Sequence, residues 1–176
     1  MDKGLVHIYC GDGKGKTTAA VGLGMRAIGN DYKVIMIQFL KCGDSGECKI
    51  IREIEPRFNV FNFEKKRGFT WELNDEEKAE LKSEIGNALM FATKVMNTRQ
   101  CDLLILDEVL NALSLGFITE EQMCEIIDNK PDEIELVLTG RDAPESIKER
   151  ADYISKIELI KHPYEEGIDA RRGIEY

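Results

Sequence analysis

At 176 residues, 43% hydrophobic and 32% charged, the chain has the size and composition of one ordinary globular domain, residues 1–176, with room for a substantial core. Its net charge of −9 argues against nucleic acid as a main partner, and no apolar run reaches the roughly 20 residues of a membrane span. The opening MDKGLVHIYC lacks a signal-peptide signature. Five cysteines (10, 42, 48, 101 and 124), odd in number and without a CxxC pair, fit reduced cytoplasmic thiols better than a metal site.

The first element is LVHIYC, Leu5 to Cys10, an apolar run broken only by His7 that reads as a buried parallel strand. Lys16 to Ile28 reads as a helix, although Gly22 and Gly24 weaken it. Between them lies CGDGKGKTTAA. Strand, glycine-rich turn and helix is the geometry in which backbone amides and a positive helix end converge on an anion. The usual phosphate-loop spacing is G-x-x-x-x-G-K-[ST]. Counted back from Gly15-Lys16-Thr17, the first glycine belongs at position 10, where Cys10 stands; the nearest is Gly11. The loop is one residue short. It still predicts a nucleotide triphosphate as ligand, in preference to a bare glycine-rich linker.

KVIMIQF (Lys33 to Phe39) is a second apolar run, ending in a polar loop with Gly43 and Gly46. FNVFNF (Phe58 to Phe63) alternates, as a strand near a sheet edge does. Asn74 then caps a long helix, with Glu77 completing a capping box. Leu81, Ile85, Ala88, Leu89, Ala92, Val95 and Met96 form its apolar face. DLLILDE is a buried strand ending in two acids. Thr119 to Gln122 opens another capped helix, IELVLTGR is a further strand, and YISKIELIK the last. The alternation gives an α/β fold, P-loop NTPase-like and doubly wound, with a mostly parallel sheet and helices on both faces.

Ligands in such sheets sit beyond the carboxyl ends of the strands. The candidates there are the loop from Gly11 to Thr18, Gln38 and Lys41, Asp107 and Glu108, and Thr139-Gly140-Arg141. LLILDE has the form of a strand delivering an aspartate to a Mg²⁺ shell, so Thr17, Asp107 and Glu108 are candidate metal ligands. Glu108 has the alternative role of a general base for water attack. NKPD, Asn129 to Asp132, matches a guanine-reading pattern, but it follows a helix and precedes a strand, at the wrong end of the sheet; it reads as a helix stop. Lys65-Lys66-Arg67 and Arg171-Arg172 are basic clusters able to hold a small anion, though such clusters are more often solvated.

GDGKGKTTAA, QFLK, GFTWE, LDE, LTGR and KHPYEEGIDARRGIEY, in this order and spacing, resemble the P-loop type of ATP:corrinoid adenosyltransferase over essentially the whole chain. The resemblance implies transfer of the 5′-deoxyadenosyl group of ATP to cobalt(I) of a corrinoid, with triphosphate released. It also implies Mg²⁺ (with Mn²⁺ as a substitute), a homodimer, and a reduced flavoprotein as electron donor. Members share the shortened loop and hold ATP in the reverse sense to ordinary P-loop enzymes. The nucleotide-binding residues carried over are Gly11, Asp12, Gly13, Lys14, Gly15, Lys16, Thr17, Thr18, Arg26, Gln38, Lys41 and Arg141. Lys14, Lys16 and Thr17, with Mg²⁺, are expected to act as an electrostatic clamp on the leaving triphosphate, Lys16 and Thr17 being the catalytic pair. Phe69 and Trp71 of GFTWE lie under the corrin and displace the lower axial ligand of cobalt. His162 is expected to be structural. Some members carry an N-terminal helical extension over the corrinoid, which this sequence does not show; Cys42, Arg171 and Arg172 also depart from the pattern. The alternatives in other classes are a P-loop ATPase or small-molecule kinase, and a nucleotide-gated binding module.

Overall fold

The computed structural model describes residues 2–41, 45–68 and 70–175. Strands β1 (Val6–Cys10), β2 (Val34–Gln38), β3 (Phe58–Asn62), β4 (Leu103–Asp107), β5 (Glu135–Thr139) and β6 (Tyr153–Lys156) form one sheet in the order β3-β2-β4-β5-β1-β6. Every pairing is parallel. The carboxyl ends of all six strands therefore share one edge, and the polar residues picked out at strand ends are brought to it. Register sharpens this: Gln38 stands opposite Asp107 on one side and Asn62 on the other.

Helices α1 (Lys16–Ile28) and α2 (Gly46–Glu53) cover one face of the sheet. Val34 and Met36 of β2, Leu103 and Ile105 of β4 and Val137 of β5 point toward them, packing with Ala20, Ile28, Cys48 and Ile51. Helices α3 (Asp75–Asn97), α4 (Val109–Ser114), α5 (Glu120–Asp128) and α6 (Glu145–Lys148) cover the other. There Ile35, Ile37, Leu104, Leu106, Leu136 and Leu138 meet Leu81, Ile85, Ala88, Met96 and Ile147. Successive strand residues thus feed opposite cores, which is why these strands read as unbroken apolar runs.

Both expected capping boxes are present, Asn74 with Glu77 at the start of α3 and Thr119 with Gln122 at the start of α5. β3 sits at an edge of the sheet, as its alternation suggested. β6 is shorter than YISKIELIK implied, ending at Lys156. Its neighbour β1 stops at Cys10, where Gly11 turns away, so the ladder has no strand left to continue on. Helix α2 forms where the sequence reading expected a polar loop. The NKPD segment lies at the amino edge of the sheet: Lys130 Nζ donates to the carbonyls of Gly4 (2.9 Å), Pro131 (3.1 Å) and Ile134 (2.9 Å).

Candidate active site

The loop leaving β1 depends on two left-handed glycines. Gly11 has φ +108°, and a Cβ on it would stand 2.2 Å from the Ile157 carbonyl oxygen; Gly15, which caps α1, has φ +121°. Side chains are excluded at the first position by space and disfavoured at both by conformation. The Gly11 amide donates to the Arg141 carbonyl (2.7 Å) and the Gly13 amide to that of Ile157 (2.9 Å). Those two N–H groups hold the loop against its neighbours. The amides turned toward an anion are therefore those of the first turn of α1, where N–H groups have no acceptor within the helix. Lys16 curls back over the loop, its ammonium donating to Gly11 O (2.7 Å) and Gly13 O (2.8 Å).

Asp107 lies at the centre of the strand-end cluster and is fully buried. Its Oδ1 accepts from the Thr17 hydroxyl (2.8 Å) and the Thr139 hydroxyl (2.8 Å). Its Oδ2 accepts from the Lys41 ammonium (2.9 Å) and from Gln38 Nε2 (3.2 Å). Lys41 also reaches Thr17 Oγ1 at 3.2 Å and Glu108 Oε1 at 3.9 Å. Burial alone would lower the Lys41 pKa, but the carboxylates of Asp107 and Glu108 more than reverse this and raise it. Glu108 is pushed above the usual carboxylate range by burial and by Asp107, against the opposing pull of Lys41. It sits in the left-handed region at φ +63° and starts α4. Two contacts hold it there: its amide donates to Thr139 Oγ1 (2.8 Å), and Asn111 Nδ2 donates to its carboxylate.

A cleft of about 480 Å³ opens over these groups, bounded by Lys14, Lys16, Thr17, Lys41 and Glu108, with Glu175 of the tail on its far wall. Arg171 grips Glu175 (3.0 Å) and holds its carboxyl down at about 2. Arg171 is thus engaged within the tail. Lys65 and Arg67 are likewise engaged, with Glu80 and with Glu80 and Glu84 respectively.

The structure brings together the loop around Gly11 and Gly13–Thr18 with Gln38, Lys41, Asp107 and Glu108. Four candidates lie elsewhere. Arg26 is in the last turn of α1, ten residues or roughly 15 Å along the axis from Lys16, and is not part of the cleft. Arg141 and Asp12 border a neighbouring cavity of about 680 Å³ with Lys156, Glu158 and His162. Trp71 is in a 3₁₀ turn, Thr70–Glu72, with 75% of its surface exposed. Phe69 and Cys42 lie outside the described residues. His162 accepts from the Tyr164 amide at the start of a second 3₁₀ turn (3.2 Å), a structural contact.

Thr139 was visible as a strand-end residue but not as a bridge between Asp107 and Glu108. Asn111, which also accepts from the Arg141 amide (2.7 Å), gave no sequence signal except its spacing of three from Glu108. Among the described residues no group of three or more His, Cys, Asp or Glu forms a metal site. A hydroxyl and two carboxylates nevertheless suit a hard cation, and in this structure they already surround a positive charge, the Lys41 ammonium.

A parallel doubly wound sheet with a glycine-rich loop at the head of α1 and an aspartate at the end of β4, one strand removed from β1, defines a P-loop nucleotide-binding protein. The chain belongs to the ATP:corrinoid adenosyltransferase family BtuR/CobO/CobP, whose description matches residues 2–176. It is 32% identical over 178 residues to a corrinoid adenosyltransferase of Pseudomonas aeruginosa, covering 99% of this chain and 85% of that protein. It is 33% identical over 177 residues to one from Sinorhizobium sp, covering 99% of this chain and 81% of the relative. Among solved structures, the cytoplasmic domain of the Thermomonospora curvata type VII secretion ATPase EccC is similar at a TM-score of 0.49 and 15% identity, over 94% of this chain and 21% of that one.

Proposed function

We propose that this chain transfers the 5′-deoxyadenosyl group of ATP to cobalt(I) of a corrinoid, in adenosylcobalamin synthesis or corrinoid salvage. The observation that carries the reading is the short loop from Gly11 to Thr18, whose Lys14 and Lys16 line one cleft with Lys41, in a chain matched by this family over residues 2–176. Cobalt(I) supplies the electron pair that forms the cobalt–carbon bond to C5′. The C5′–O bond breaks, and the whole triphosphate leaves with that bonding pair.

The work of the protein is then to orient C5′ in line with cobalt and to neutralise a leaving group of several negative charges. Lys14, Lys16 and Lys41 provide fixed positive charge along the cleft, and the first-turn amides of α1 add dipoles aimed at the same place. Thr17 and Asp107, with Glu108 beside them, would hold Mg²⁺ or Mn²⁺, which supplies further charge neutralisation on the phosphates. Trp71 presents an exposed aromatic face suited to stacking under a corrin. Among the described residues no side chain needs to act as nucleophile.

A homodimer, a reduced flavoprotein donor and a cytoplasmic location belong to the same proposal. No described helix is long and apolar enough to cross a membrane. The deciding experiment mixes the protein with MgATP and chemically reduced corrinoid under anaerobic conditions. The adenosylated spectrum should appear in step with inorganic triphosphate on ion chromatography. ADP and phosphate, released without need of corrinoid, would identify an ATPase instead.

A further inference from the structure

Beyond the strand-end cluster, one half-buried carboxylate is placed where two parts of the molecule meet. Glu64 follows β3 and opens the loop that runs to the 3₁₀ turn carrying Trp71. Its Oε1 accepts the Leu40 amide at 2.7 Å, across 24 residues of sequence. Leu40 is a non-glycine residue in the left-handed region, φ +57°. Such a conformation persists only where the surroundings fix it. On one side the Phe39 amide donates to the Asp107 carbonyl (2.9 Å); on the other, Glu64 holds the Leu40 amide. Lys41 comes next, and its ammonium lies between Asp107 and Thr17.

The loop that begins at Glu64 is pinned again three residues later. Arg67 places NH1 on Glu84 (2.5 Å) and NH2 on Glu80 (2.6 Å), both on α3, and is itself mostly buried. A bidentate guanidinium held by two carboxylates is a geometrically specific anchor. The segment from Glu64 to Arg67 is thereby fixed to the Lys41 turn at one end and to α3 at the other.

We infer that Glu64 is a positioning residue for the nucleotide site: by holding the Leu40 amide it sets the left-handed turn that delivers Lys41 to Asp107 and Thr17. Through Arg67 the same short segment is anchored to α3. The inference rests on the nucleotide reading above, but not on any corrinoid chemistry, so the two fail separately.

The test measures binding of a fluorescent ATP analogue with Mg²⁺, without corrinoid, to wild type, Glu64→Ala, Glu64→Gln, Lys41→Ala and the Glu64→Ala/Lys41→Ala double variant. Glu64→Gln keeps an acceptor oxygen and should bind within about twofold of wild type. Glu64→Ala leaves the Leu40 amide without that acceptor and should bind about tenfold more weakly, which corresponds to about 1.4 kcal/mol. Because Glu64 acts through Lys41, the double variant should bind no worse than Lys41→Ala alone. Wild-type affinity in Glu64→Ala, an equal loss in Glu64→Gln, or additive losses in the double variant would each overturn the inference.

Discussion

Lys41 Nζ lies 2.9 Å from Asp107 Oδ2, so an ammonium is set directly against a fully buried acidic side chain between strand ends. Two hydroxyls and an amide also donate to Asp107, but the ammonium is the charged donor among these four. The first prediction concerns the loss of that partner. Lys41→Met should destabilise the nucleotide-free protein by about 2 kcal/mol, below the usual cost of breaking a fully buried pair because the lysine side chain is 31% exposed. Thermal unfolding measures it. Added Mg²⁺ should recover more stability in the variant than in wild type; an unchanged melting temperature would remove the electrostatic role assigned to Lys41.

Glu64 has a titration of its own. Burial, with Glu84 nearby, raises its carboxyl to about 7, against the opposing effects of the Leu40 amide and Arg67. The folded value lies above the unfolded one, so the folded state binds the proton more tightly. That stabilisation is complete below about 4.5 and is lost as pH rises through about 7. Glu64→Gln cannot ionise. Its stability advantage over wild type should therefore grow between pH 5 and pH 8, by on the order of 2 kcal/mol. Denaturant melts at both pH values give the number, and a constant difference would place the Glu64 titration elsewhere.

Lys16 is drawn onto the carbonyls of Gly11 and Gly13, at the centre of the loop. Lys16→Ala should lower the adenosyl-transfer rate by roughly 10²–10³, the cost of removing one preorganised donor facing developing charge. The comparison is made by single turnover at saturating ATP with chemically reduced corrinoid. Near wild-type turnover would mean that another group carries the triphosphate.

The corrin-facing role proposed for Trp71 can be tested apart from nucleotide binding. If Trp71 has the proposed role of excluding the axial ligand, which eases reduction of cobalt(II), Trp71→Ala should cripple activity when a reduced flavoprotein supplies the electron. Each ~59 mV of potential is a tenfold change for one electron. Loss should be far smaller when cobalt(I) is made chemically beforehand, and ATP affinity should hardly move, since Trp71 lies outside the cleft. Equal losses in both regimes would assign Trp71 to folding or docking.

Thr139 carries the second bond to Asp107 Oδ1 and accepts the Glu108 amide. Thr139→Val keeps the shape and removes both contacts inside the core. A stability loss of about 1–3 kcal/mol is expected from the unpaired buried groups, readable by denaturant unfolding. A neutral substitution would show that Glu108 keeps its left-handed backbone without this support.

Much of the frame was legible because its signals are local. The buried strands announce themselves as apolar runs, and both capping boxes as a polar residue with Glu or Gln three positions on. Gly11 and Gly15 were legible as a loop because only glycine tolerates those angles in so tight a turn. α2 was missed because eight residues with only Cys48 and Ile51 buried hold too short a pattern to read. In the site, strand ends were the guide, which found Gln38, Asp107 and Thr139 but not their bonds. Glu64 and Asn111 were invisible for a different reason. Each matters through a backbone amide remote in sequence, Leu40 or Arg141, and the meaning of such a contact exists only once the fold has closed.

The position of β1 in the sheet bears on how the protein is made. Its two neighbours are β5 and β6, so this strand is completed by residues 135–139 and 153–156, far later in the sequence. Gly11 and Gly13 are then fixed by the carbonyls of Arg141 and Ile157. On a ribosome, the phosphate loop emerges more than a hundred residues before Arg141 and Ile157, the partners that fix it. Pairings this distant in sequence are slow to form. A nascent chain halted before residue 153 should show no nucleotide-dependent protection from protease, although every residue of its glycine-rich loop has been synthesised.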